Sequence, residues 1–189
     1  MTAVAGTPTH VMIVAHPDDE TLFGGQELLN GDAWHVVCLT NCGNIARANR
    51  FRLAMAFAGA TCDIWDYPDR PGWSRDAASA ESAWQPLLGA LKERLTGVLT
   101  CRTPRRVVTH NRDGEYGHIH HKMVHEIVRN LADPARIEVF AVANRELPPS
   151  LLELKLGMIA LYGDFITKTE IAKLSEWIRK GTTAPFSSP

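Results

Sequence analysis

Apolar residues fall along this chain in short solid blocks, with longer stretches between them that repeat at helical spacing. HVMIVA (10–15), AWHVVCLTN (33–41), CDIWDY (62–67), RRVVTH (105–110) and IEVFAVA (137–143) are brief and β-branched, and they predict five strands. TLFGGQELLNG after the first block predicts a helix stopped at Gly31. IARANRFRLAMAFA (45–58) carries its apolar residues on one helical face, with Gly59 placed as a C-cap. Further helices are predicted over about 80–97, 117–131, 150–161 and 167–179.

Strands that lack polar alternation and are separated by helices imply a parallel sheet covered on both faces. The expected fold class is therefore α/β, a three-layer Rossmann-like domain with a mostly parallel sheet. In such sheets ligands bind beyond the carboxyl ends of the strands, where the strand order reverses. The first strand runs into His16, Asp18 and Asp19, and the fourth ends at His110. A switch point between those two strands would bring both ends to one pocket.

A chain of 189 residues suits a single domain, with a core over about 10–165 and a C-terminal helix and mobile tail over 166–189. Twenty basic and twenty-one acidic residues are interspersed, so charge gives no argument for a nucleic-acid or membrane-surface partner. No segment approaches the ~20 apolar residues of a membrane span, and MTAVAGTPTH has neither a basic n-region nor an apolar run of signal length. Cys38, Cys42, Cys62 and Cys101 are scattered and read as reduced thiols. The expectation is a cytoplasmic protein.

Chemistry concentrates in two clusters. AHPDDE (15–20) sets an imidazole and three carboxylates on a turn stiffened by Pro17. Crowded carboxylates call for a cation, although Asp18, Asp19 and Glu20 would also suit a helix N-terminus; on this stretch alone the two readings stand level. The second cluster, THNRDGEYGHIHHKMVH (109–125), places glycines before a helix on which His118 and His121 share a face. One or two of those histidines, with His16 and an aspartate, supply three ligands of the kind that hold a catalytic zinc and leave a position for water. His125 and His10 read as solvated.

Together, AHPDDE and the later YGHIHH resemble the LmbE/PIG-L family of zinc-dependent N-acetylglucosaminyl deacetylases, and the order of elements over about 10–162 fits that family. The resemblance implies one zinc per chain held by His16, Asp19 and His121. It also implies Asp18 as general base, and Tyr116 and His118 as groups that polarise the amide carbonyl and stabilise the oxyanion. Arg47 and Asp69 match substrate-binding positions, so the implied partner is a small-molecule amino sugar. Three departures stand out. His120 replaces an acid between the two histidines, Arg50 replaces a glutamate, and Gly163-Asp164 departs from the closing pattern. Two rival readings remain, a metal-dependent phosphoesterase and a non-catalytic sugar-binding module.

Overall fold

The computed structural model describes residues 9–70, 72 and 76–186. Parts of the loop read as PDRPGWSRDAAS, and the last three residues of the tail, lie outside the described residues. Among the described residues six strands form one sheet: β1 (His10–Val14), β2 (Trp34–Thr40), β3 (Thr61–Tyr67), β4 (Arg106–Thr109), β5 (Ile137–Val142) and β6 (Gly181–Pro185). Their order is β3-β2-β1-β4-β5-β6, parallel throughout except for β6 against β5. The order reverses between β1 and β4, where the sequence placed the switch point.

Helices cover both faces. In chain order they are α1 (Asp19–Leu22), α2 (Gly25–Leu28), α3 (Ile45–Ala58), α4 (Ala77–Trp84), α5 (Leu88–Arg102), α6 (Gly114–Gly117), α7 (Ile119–Arg129), α8 (Pro149–Leu161), α9 (Lys168–Lys173) and α10 (Ser175–Lys180). The period-2 geometry of β1 divides its side chains between two cores. Met12 and Val14 pack with Phe23, Phe51, Met55 and Met158, from the α1, α3 and α8 side. Val11 and Ile13 pack with Trp84, Leu91, Leu95 and Val124, from the α4, α5 and α7 side. Burial on both faces explains why the strand is an unbroken apolar run.

Several expectations needed correction. The helix expected through TLFGGQELLNG breaks into α1 and α2 at Phe23-Gly24, where the chain lies so close to the sheet that a Cβ at Gly24 would meet Met12 Cε at 2.6 Å. The helix expected over 167–179 is likewise two short ones, the first held by a Thr167–Glu170 capping box. The tail, expected to be mobile, supplies β6. Thr182 and Thr183 suit a strand, and the Arg106 guanidinium ties Thr183 Oγ1 (2.7 Å) to Glu138 (2.6 Å).

Lys155 is fully buried in α8, where its ammonium donates to Gln26 Oε1 (2.8 Å) and the Trp177 carbonyl (3.0 Å). It thereby joins α2, α8 and α10. Burial pushes its pKa down to about 7. Below that value the amine is charged in both folded and unfolded chains and imposes its full burial cost. As pH rises from about 7 towards the unfolded value near ~10.5, the folded chain sheds its proton first, so stability increases. Lys155→Met is expected to remove that increment. Urea unfolding at pH 7 and pH 9 should show the unaltered protein gaining stability relative to the variant over that interval, the other titrations being common to both; an identical pH dependence of the two would disprove the assignment.

Candidate functional site

Two turns meet at the switch point. After β1, Asp18 adopts φ 123°, a region side chains rarely enter. Its backbone N–H donates to Glu20 Oε2 at 3.0 Å. Glu20 Oε1 accepts from the hydroxyls of Thr21 (2.6 Å) and Tyr162 (2.5 Å), so this carboxyl braces the turn from beneath. Complete burial pushes its pKa up to about 7.

After β4, positive φ at Gly114, Glu115 and Gly117 folds the chain back sharply before α7. The Glu115 carboxylate accepts from the Asn111 N–H (2.9 Å) and faces Nδ1 of both His110 (2.9 Å) and His121 (2.5 Å). His110 Nε2 accepts the Ala15 N–H at 3.0 Å, which joins the carboxyl ends of β4 and β1. With Nδ1 engaged, His121 turns Nε2 towards Asp19 Oδ1, 3.3 Å away. That nitrogen is buried and has no well-formed hydrogen bond. His16 Nδ1 lies 3.2 Å from Asp19 Oδ2.

Donor atoms of His16, Asp19 and His121 thus fall within 4.8 Å of one another, as do those of His16, His118 and His120 and of His110, Glu115 and His121. Two imidazoles and a carboxylate are a donor set that suits zinc. The field favours a cation too. Burial alone would lower the His121 pKa, yet the charges of Asp19 and Glu115 raise it to about 10. Groups that hold a proton this firmly would hold a metal ion in its place. The residues present fit the metal.

The two adjacent aspartates are driven in opposite directions. Burial raises Asp18 well above the carboxylate range, against the lowering charge of Arg47. Burial would raise Asp19 as well, but the charges of His121 and His16 bring it well below that range. One carboxyl is therefore fitted to take up a proton and its neighbour to remain charged.

The structure gathers the residues predicted for the site around this point. Arg47, on the first turn of α3, donates from Nη2 to Asp18 Oδ2 (2.6 Å) and from Nε to the Pro17 carbonyl (3.1 Å). Asp69 holds Oδ1 3.9 Å from His16 Nε2 and receives the Asn41 side-chain amide on Oδ2 (2.9 Å). Tyr116 is exposed, with its ring 5.4 Å from that of His121 and 5.8 Å from that of His118. His118 caps α7 by accepting the His120 N–H on Nδ1 (3.3 Å), which leaves its proton on Nε2. Burial, then the charges of His16 and His121, lower its pKa to about 2, so it is a neutral donor.

His120 is buried. It stacks on Trp84 at 4.8 Å, and its Nδ1 lies 3.1 Å from His16 Nε2. His125, expected to be solvated, is buried instead, with Nδ1 2.9 Å from the His110 carbonyl, because α7 turns that face onto β4. His10 is half-buried beside Thr9 and Trp34. Sequence reasoning passed over Glu115 and Tyr162. The signal for Glu115 was present in the two glycines that bracket it.

Comparison with known proteins follows the same lines. The family model PIG-L, described as GlcNAc-PI de-N-acetylase, matches residues 11–132. An uncharacterized protein of Acanthamoeba polyphaga mimivirus is 30% identical, over 84% of this chain and 73% of its own length. Among solved structures, a deacetylase of the teicoplanin biosynthesis pathway aligns with TM-score 0.69 at 13% identity, covering 93% of this chain and 96% of that one. The teicoplanin deacetylase Orf2 is also known in a zinc-inhibited form (TM-score 0.66, 12% identity, 93% and 96% covered). A 4-carboxy-2-hydroxymuconate hydratase from Pseudomonas putida KT2440 aligns with TM-score 0.58 at 16% identity, covering 96% and 98%. At these identities the structural matches establish a shared fold, and the hydratase among them means that fold does not choose the reaction.

Proposed function

The chain belongs to the PIG-L family, and on that premise we propose that it is a zinc-dependent N-deacetylase acting on an N-acetylglucosamine-type sugar or sugar conjugate. The observation that carries the reading is the site geometry: donor atoms of His16, Asp19 and His121 lie within 4.8 Å of one another, and the adjacent Asp18 is held by Arg47 at 2.6 Å in a buried setting that favours its taking up a proton. His16, Asp19 and His121 would hold the ion, which when bound lowers the pKa of a water and polarises the acetamide carbonyl.

The chain's own groups perform the remaining steps. Asp18 accepts the proton of the attacking water, with Arg47 fixing its orientation. His118, neutral and protonated on Nε2, donates a hydrogen bond to the oxyanion that develops on the carbonyl, and Tyr116 stands beside it as a second donor. Asp18 then returns its proton to nitrogen, and the products are acetate and a free amine. Arg47 and Asp69, at the rim, are suited to sugar hydroxyls. Among the described residues no helix is long and apolar enough to cross a membrane.

The test is a panel of N-acetylglucosamine derivatives, free, inositol-linked and nucleotide-linked, run beside phosphate monoesters and followed by mass spectrometry. We expect acetate and the free amine from at least one sugar, abolished by a chelator and restored by zinc. Phosphate release without acetate would replace the reading with a phosphoesterase. Sugar binding without any product would leave a binding module.

A further inference from the structure

His120 stands where the family pattern has an acid, and its surroundings give that exchange a use. Its Nδ1 lies 3.1 Å from His16 Nε2 and 3.6 Å from Asp69 Oδ1, while Asp69 Oδ1 and His16 Nε2 are 3.9 Å apart. The two imidazoles could share a hydrogen bond, but the carboxylate is too far from either to take part in one. The spacing has another meaning. With bonds of about 2.0–2.1 Å, a tetrahedral zinc separates its ligand atoms by about 3.3–3.4 Å. The three edges of this triangle bracket that value.

Two corners are held from behind by polar partners, as ligands usually are, and the third by ring stacking. Asn41 donates to Asp69 Oδ2 and so leaves Oδ1 to face the histidines. The His120 ring lies stacked on Trp84, whose indole N–H is fixed to the Pro68 carbonyl at 2.7 Å. His16 is the shared corner, with Nδ1 towards Asp19 and Nε2 towards this second group.

We propose that His16 Nε2, His120 Nδ1 and Asp69 Oδ1 form a second position for a borderline divalent cation such as zinc or cobalt, alternative to the one at His16, Asp19 and His121. A neutral imidazole offers a lone pair on one nitrogen only. His16 therefore serves one position at a time, and the chain holds one ion that has two berths. The inference stands on donor spacing and would survive a change of substrate class, because it concerns metal binding alone.

Cobalt(II) titration followed by visible absorption tests it. The first position is disabled in two independent ways, His121→Asn and Asp19→Asn, and folding of each variant is checked by circular dichroism. Each folded variant should still bind one cobalt per chain. Adding Asp69→Asn or His120→Ala to it should weaken that binding by at least about tenfold. In the otherwise unaltered protein, Asp69→Asn should leave cobalt affinity unchanged, since the first position remains. The proposal is overturned if cobalt does not bind once the first position is disabled, or if it binds there with an affinity indifferent to Asp69 and His120.

Discussion

Asp18→Asn is expected to reduce kcat by about 10²–10⁴-fold while the protein keeps its metal. Asparagine preserves size, and it is among the side chains best tolerated at positive φ, so the turn at φ 123° can survive. Its amide oxygen can still accept from Arg47, which now contacts Asp18 at 2.6 Å. What it cannot do is take a proton from water. Metal content should be unaffected, because Asp18 is not among the proposed ligands. Steady-state kinetics and elemental analysis on the same preparation decide the matter. Near-wild-type kcat would take Asp18 out of the mechanism, and loss of metal would make it a ligand instead of a base.

Glu115→Gln is expected to weaken metal binding by about 10–100-fold, although Glu115 is not among the proposed metal ligands. Its carboxylate faces Nδ1 of both His110 and His121 and, despite burial, is held at a pKa of about 2 by His110 and His121. A carboxylate accepts only, so it keeps a proton on His121 Nδ1 and leaves Nε2 free for a metal. A glutamine that turns its NH₂ to the ring reverses this, placing the proton on Nε2. Competition against a chromogenic chelator measures the change. If the variant binds zinc as tightly as the parent, Glu115 serves the turn and not the metal.

How much of this could be read in advance differs from residue to residue. Strand β1 was legible because burial on both faces leaves it an unbroken apolar run, and the other four parallel strands because each is a short apolar block of strand length, even where, as in β3 at the sheet edge, acids interrupt it. Helix α3 was legible down to its ends, since Gly59 can adopt the left-handed cap and Asn44 accepts the Arg47 N–H. His16, Asp18 and Asp19 stood out because acids at the end of a buried strand demand a reason. Glu115 did not, because one acid in a Gly-rich turn looks like solvated polarity: the bracketing glycines mark a sharp turn, but not what the acid on it faces. His125 and β6 were misjudged for a related cause. Burial of a histidine face and pairing of a short Thr-rich segment are decided by neighbours far along the chain, Phe186 and Ile137 among them. Local pattern carries no trace of such partners.

The backbone of Asp18 carries a further consequence. A side chain held at φ 123° costs on the order of 1–3 kcal/mol, which the Glu20 carboxylate and the Arg47 guanidinium offset locally. Glycine would sit there without that strain. Directed evolution of this protein for heat resistance alone would therefore be drawn towards glycine at position 18, and on the role proposed for Asp18 the hardier protein it selected would be an inert one.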